Sequence, residues 1–365
     1  MTKAEGGIGG WNVCEGEGGG KRGMIGAMRW VVMIIVLVVS GVRGEEVWPG
    51  EHWQVRTPAE VGLKREKLEA MAALAGGRGC VVKGGYMIYS WGDQNKSGDV
   101  ASAMKPVITT LMLMAVEEGK IGSVDDRVAI FEPRLVGKNE GMTWRQLASQ
   151  MSGYGLVERP GEAYSYNDFA LALYYDTLME NVYREKGTEV LKRKLGEVLG
   201  FEDRYTFEVF GAGDRKGRLG ISCRDFARFG LMYLRGGRWR GQRVVREDLT
   251  RTAISSPISA QTPLTSGKET PMIAGQRSIG GTRNITSEGP GWYSFNWWVN
   301  GKNKDGKRLY ENLPEDAYMA SGHGARRLMV IVPSWDVIVV WNEAEKMEEK
   351  REKQEEAMKL LREAR

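Results

Sequence analysis

Ser102 stands three residues before Lys105 in the stretch GDVASAMKPVITT. A serine hydroxyl is a poor nucleophile unless a base takes its proton, and a lysine amine is such a base when burial or a nearby cation lowers its pKa. Residues i and i+3 of a helix share a face, so this spacing aims both groups the same way. The apolar run that follows, VITTLMLMAV, predicts a helix with Ser102 near its start. Backbone N–H groups are free there to bind an oxyanion, and the helix field favours negative charge. Pro106 fits a first helical turn, and Asp99 is placed to cap it. The chemistry suggested is acyl transfer through a serine ester. The bland alternative is a surface lysine beside a helix cap.

Two other stretches carry groups that such chemistry needs. EAYSYNDFALAL sets Tyr166 and Asp168 just ahead of a second apolar helix. YMASGHGARRLMVIVP sets His323, Gly324, Ala325 and Arg326 just before a strand. A Ser-His-Asp triad would have to use His323, because the other histidine is His52, and no G-x-S-x-G accompanies it. With two histidines, three cysteines, no H-E-x-x-H and no C-x-x-C, the chain lacks the ligand clusters of a zinc hydrolase. No metal or cofactor is expected. The net charge is +5, of which residues 1–44 contribute +2 from five basic and three acidic residues. The +3 left on the rest is too weak to suggest a nucleic-acid partner.

The elements that must position these groups can be read from the pattern. PAEVGLKREKLEAMAALA repeats apolar residues at helical spacing. GCVVKGGYMIYSWGD reads as a hairpin turning at Lys83-Gly84-Gly85. Residues 123–290 are mostly amphipathic helical runs, with a long loop over 255–290. Strand character returns in YSFNWWVNG, RRLMVIVP and DVIVVWNEA. A charged helix closes the chain with Met358, Leu360 and Leu361 turned inward. The fold class expected is α+β: one antiparallel sheet built from residues of about 55–100 and 290–365, flanked by N- and C-terminal helices. A mostly helical subdomain, about 101–289, is inserted between, and a site would lie at the seam.

Residues 1–44 are set apart from residues 45–365, which read as a single domain. KRGMIGAMRWVVMIIVLVVSGVRG has basic residues, then a mostly apolar stretch of 13 residues between Arg29 and Arg43 that ends among small residues. That is the pattern of a secretory signal peptide, behind a Gly-rich extension of the gene model. An exported, periplasmic or extracellular protein is expected, membrane-attached only if this segment stays uncleaved. Cys80 and Cys223 sit beside apolar residues and read as two separate buried thiols.

Taken together, S-x-x-K at 102–105, the tyrosine element at Tyr166 and the His-Gly element at 323–324 resemble the serine β-lactamase and penicillin-binding superfamily. The likeness is greatest to its class C and esterase-like branch. The flanks EEGKIGSVDDRVAIF, TWRQLASQMSGYG, SCRDFARFGLMYL and VIVPSWDVIVVW match too, so the resemblance runs from about residue 55 to 345. It implies that Ser102 is acylated, that Lys105 helps take its proton and that Tyr166 passes a proton to the leaving group. Asp168 stands where the family usually has Asn or Ser. His323 would replace the lysine of the family's Lys-Thr-Gly element, followed by Gly324 and by Ala325 in place of a glycine. The amides of Ser102 and of the Ala325–Arg326 region would form the oxyanion hole. The implied activity is that of a secreted serine hydrolase on a small ester, amide, peptide or β-lactam-like substrate. The competing class is a catalytically silent relative that binds cell-wall peptide or a protein partner.

Overall fold

The computed structural model describes residues 46–208, 216–281 and 288–365. The segment read as a signal peptide lies outside the described residues. Among them, no helix is long and apolar enough to cross a membrane.

In chain order, helix α1 (Arg65–Ala75) leads into the hairpin β1 (Arg78–Lys83) and β2 (Tyr86–Trp91), then β3 (Gly98–Asp99) and α2 (Lys105–Glu117). The middle holds α3 (Trp144–Ala148), α4 (Asp168–Asp176), α5 (Gly187–Leu191) and α6 (Glu197–Leu199), then β4 (Thr206–Glu208) and β5 (Lys216–Ile221). After α7 (Cys223–Leu234) come the short hairpin β6 (Arg238–Trp239) and β7 (Gln242–Arg243), and α8 (Glu247–Ser255). The chain closes with β8 (Tyr293–Ser294), β9 (Trp297–Val299), β10 (Tyr318–Gly322), β11 (Arg327–Val332), β12 (Val337–Asn342) and α9 (Arg351–Glu363).

Seven of these strands form one antiparallel sheet in the order β2-β1-β12-β11-β10-β9-β8. The early hairpin therefore pairs with the last strand, Arg78 opposite Asn342 and Lys83 opposite Val337. The mostly helical middle leaves the sheet after one edge strand, β2, and returns to it at the other, β8. It is not wholly helical: β3, β5 and β4 make a second, three-stranded sheet that the apolar pattern of KGRLGI does not announce.

The side-chain period of two sorts each central strand between two cores. Val81, Val330, Val339 and Trp341 face α1 and α9. Cys80, Met329, Ile338 and Val340 face α2 and α7. Burying each of these side chains contributes about 1.5–3 kcal/mol. Helix α1 supplies Leu68, Met71 and Ala75 at helical spacing, and α9 answers with Ala357, Met358 and Leu361, while Leu360 is only partly covered. Helix α2 is buried on every side from Lys105 to Ala115, as its uniform apolarity requires. Cys80 and Cys223 are both buried and unpaired.

Candidate active site

Ser102 does not lie in the α-helix. It sits in a tight 3-10 turn, Ala101–Met104, and α2 begins only at Lys105. In a 3-10 turn residues i and i+3 eclipse one another, so the pair is brought closer than an α-helix would bring it. Lys105 Nζ donates to Ser102 Oγ at 2.7 Å. The turn is fixed from both sides. Asp99 accepts the Ala101 N–H at 2.7 Å and pairs with the Arg218 guanidinium, so it braces the turn and β5 rather than capping α2. Ala101 is held at φ +49, an unfavourable conformation for a residue with a side chain. From the sheet, Gly322 at the end of β10 presses on the turn: a methyl group there would lie 2.5 Å from the Val100 carbonyl oxygen and 3.0 Å from the Ser102 nitrogen.

Tyr166 and Asp168 come from the entry to α4. Asn167 between them is the N-cap, its side-chain oxygen accepting from Phe169 N at 3.0 Å and Ala170 N at 3.1 Å. Its amide group donates to Tyr154 O at 2.9 Å, and its own N–H donates to Gln150 Oε1 at 2.8 Å. This buried residue therefore sets the directions of both neighbours. Tyr166 OH accepts from Lys105 Nζ at 2.7 Å, and Asp168 Oδ1 accepts from the same nitrogen at 3.2 Å. The Tyr166 ring stacks on Trp298 and meets Tyr293 edge-on. Burial works against the charge of Lys105, but the Asp168 carboxylate and then the Tyr166 hydroxyl outweigh it, so the lysine pKa is raised above its ordinary value. That reverses the sequence-based expectation of a depressed lysine.

The His-Gly element departs from expectation. Residues His323–Arg326 are the turn joining β10 to β11, with Gly322 opposite Arg327. The His323 ring does not take the place of a lysine beside the serine. Its Nε2 meets Glu348 at 2.8 Å and its Nδ1 meets Arg327 at 3.1 Å, and the side chain is half exposed. Arg326 cannot supply an oxyanion donor either: its N–H is spent on His323 O at 3.1 Å, and its guanidinium pairs with Glu345 and Glu348. Ala325 is 2% exposed, packed into the α1/α9 core, and its carbonyl accepts from Trp341 Nε1 at 2.8 Å. Its methyl therefore takes up core volume and scarcely narrows the cleft. Gly324 holds φ +59, and its carbonyl accepts from Gln354 Nε2 of α9 at 3.0 Å and Glu349 N at 2.9 Å. With Gly322 against the Ser102 amide, the next amide along the chain is that of His323, three residues before Arg326.

The beta-lactamase family model matches residues 65–360. The chain belongs to the beta-lactamase family. Its fold is shared with a beta-lactamase from Mycobacterium bovis (TM-score 0.54, 16% identity, covering 75% of this chain and 89% of that one). It is shared too with a penicillin-binding protein homolog from Caulobacter crescentus (TM-score 0.57, 13% identity, 82% and 97%). The hydrolase EstCE1, which has promiscuous acyltransferase activity, is similar at TM-score 0.57 and 13% identity over 83% of this chain and 97% of that one. No curated protein sequence matches the chain.

In this member of the beta-lactamase family, Ser102, Tyr166 and Asp168 open into a cleft of about 720 Å³, with Lys105 buried beneath them. The turn at His323, Gly324 and Ala325 borders the same cleft, whereas Arg326 and Arg327 do not line it. Several lining residues carry no motif. Met319 and Ser321 face the cleft because the alternate positions of β10 turn the other way, Ala320 into the α2/α7 core and Gly322 against the Ser102 turn. The strand period in YMASG is the signal that could have found them. Trp298 forms a wall, while its neighbour Trp297 is core. Arg351, at the start of α9, lies 4.2 Å over the Tyr310 ring, and nothing in its local sequence marks it as a cleft residue.

Proposed function

We propose that the protein is an exported serine hydrolase that works through an acyl-enzyme on Ser102. The observation that carries this reading is the buried Lys105 nitrogen, 2.7 Å from both Ser102 Oγ and Tyr166 OH. Ser102 Oγ attacks the substrate carbonyl while its proton passes into the Lys105–Tyr166 pair. The carbonyl oxygen takes up negative charge against the amides of Ser102 and His323. Collapse breaks the bond to the leaving group, which collects the proton from Tyr166. Water then repeats the sequence on the serine ester and releases the acid. The cleft walls of Trp298, Leu309, Tyr310 and Met319 support a small ester or amide with an apolar part, the partner being a small molecule or short peptide. Residues 1–44 would direct export.

The test is intact-mass spectrometry of the protein after exposure to a fluorophosphonate, a penicillin and p-nitrophenyl esters, beside Ser102→Ala. A single adduct on the wild type and none on the variant is expected, and the reagent that turns over identifies the substrate class. A folded wild type that takes no adduct from any reagent would overturn the hydrolase in favour of a silent binding protein.

A further inference from the structure

We infer that Asp168 is a positioning residue for this reaction: its carboxylate holds Lys105 as a fully hydrogen-bonded ammonium, and so sets the pH at which Ser102 becomes nucleophilic. The inference rests on the hydrolase reading of the same site.

An ammonium has three N–H donors and no acceptor. Lys105 meets three acceptors, Ser102 Oγ at 2.7 Å, Tyr166 OH at 2.7 Å and Asp168 Oδ1 at 3.2 Å. Its side chain is 2% exposed, so water cannot stand in for any of them. A neutral amine could also fill the three contacts by accepting from one of the two hydroxyls, but only the ammonium forms an ion pair with the Asp168 carboxylate, whose two oxygens can only accept. That buried pair favours the charged form. The carboxylate itself is held in place. Asp168 is the first residue of α4, where negative charge is favoured, its carbonyl accepts the Ile279 N–H at 3.2 Å, and a side chain on Gly281 would collide with its carboxylate. An amide in its place would keep the hydrogen bond to Lys105 and lose the charge.

The other charged and titratable groups around the cluster do not cancel this effect. Tyr164 and Tyr293 pack behind Tyr166 as buried, neutral phenols whose ionisation burial opposes. Arg218 borders the cleft but is paired with Asp99. The His323 ring is engaged with Glu348 and Arg327, and Arg351 on the cleft wall lies over the Tyr310 ring.

Before attack, the cluster of Ser102, Lys105 and Tyr166 must lose one proton to solvent, and that proton belongs to the cluster rather than to one atom. The Ser102 proton then moves to the vacated site as the Oγ–C bond forms and the carbonyl π pair moves onto oxygen. The leaving group later departs with that proton. A fixed negative charge on Asp168 opposes the first loss whichever atom bears it.

The experiment measures the fluorophosphonate labelling rate of the full chain by intact mass, from about pH 6 to about pH 11, for wild type and Asp168→Asn. The limb along which the rate rises should lie about one pH unit lower in the variant, so that below both limbs it labels about tenfold faster relative to its own plateau. Melting temperatures are read alongside. Coincident limbs overturn the inference, and a wild type that labels at no pH removes the hydrolase reading itself. A second measurement needs no activity and no Asp168 variant: in wild type carrying ε-¹³C lysine, the Lys105 resonance, found by its loss in a folded Lys105→Met variant, should keep its ammonium shift beyond the pH where the exposed lysines titrate. A Lys105 that titrates before them overturns the inference even if the enzyme is active.

Discussion

The turn at Ser102 and the turn at His323 lie side by side in the cleft, yet they are held by different physics. The first is buried. Asp99, Arg218, the Leu219 carbonyl and the close approach of Gly322 fix its backbone, and Lys105 below it has every donor used. The second is a surface hairpin turn whose side chains reach outward to Glu345 and Glu348. Exposed pairs of this kind contribute about 0–1 kcal/mol each. Both turns attract attention in the sequence for their titratable residues. Only in the first does a titratable side chain hydrogen-bond to Ser102; in the second the His323 and Arg326 side chains pair with Glu345, Glu348 and Arg327.

The sharpest way to break this contrast is to remove one charged side chain from each side. Lys105→Ala should lower the labelling rate of Ser102 at least about a thousandfold, since it removes the partner of both Ser102 and Tyr166. Arg326→Ala should leave that rate within about twofold, its ion pairs being surface ones. A comparable loss in both variants would make the two turns equivalent and defeat the distinction.

A finer cut uses the two glycines. Gly322→Ala must push the Val100 carbonyl and the Ser102 amide away, and displacement of about 1 Å at a reacting group costs about a hundredfold in rate. Gly324→Ala meets Glu349 instead, at 2.6 Å, with φ +59. Its expected cost is about 1–2 kcal/mol of stability in urea denaturation, with the labelling rate nearly unchanged. Rate loss in the second variant without rate loss in the first would reverse the assignment.

The smallest effect concerns stability against pH. Burial raises the Asp225 carboxyl to about 6, although the Glu202 and Asp203 amides and the Arg228 guanidinium oppose the rise. Its folded pKa lies above the unfolded one, so the native state holds the extra proton. Stability from this group is complete below about pH 4 and is lost as pH climbs through about 6. Urea denaturation should show stability falling by about 3 kcal/mol across that window, with a flatter profile in Asp225→Asn. An unchanged slope in the variant assigns the pH dependence to other groups.

Much of this molecule was readable in the sequence, and the unread parts share a cause. Local signals gave α1, the β1–β2 hairpin, the apolar α2 and the Ser102–Lys105 pairing, because each depends on neighbours within a few residues. The 3-10 form of the Ser102 turn depends on Gly322, more than two hundred residues away, and so does not show in ASAMKP. The pairing of β3 with β5 is equally non-local. At the third element the reading favoured the imidazole of His323 and the amides near Arg326. The proposed donor, the His323 amide, follows only from knowing that β10 ends at Gly322, and a peptide N–H looks the same in every residue type. The sign of the Lys105 shift was hidden for a related reason, since burial and the Asp168 carboxylate act in opposite directions and only distance decides between them.

The pairing of β1 with β12, and of the Gly324 turn with Gln354 on α9, also fixes when the site can exist during synthesis. A chain emerging from the ribosome presents Ser102 and Lys105 early, but the strand that seats them and the helix that pins the adjoining turn come last. Contacts so distant in sequence form slowly, after the entropy of a very long loop has been overcome. Until the final helix is free the serine has no formed cleft around it, and a chain truncated within α9 should be born without one.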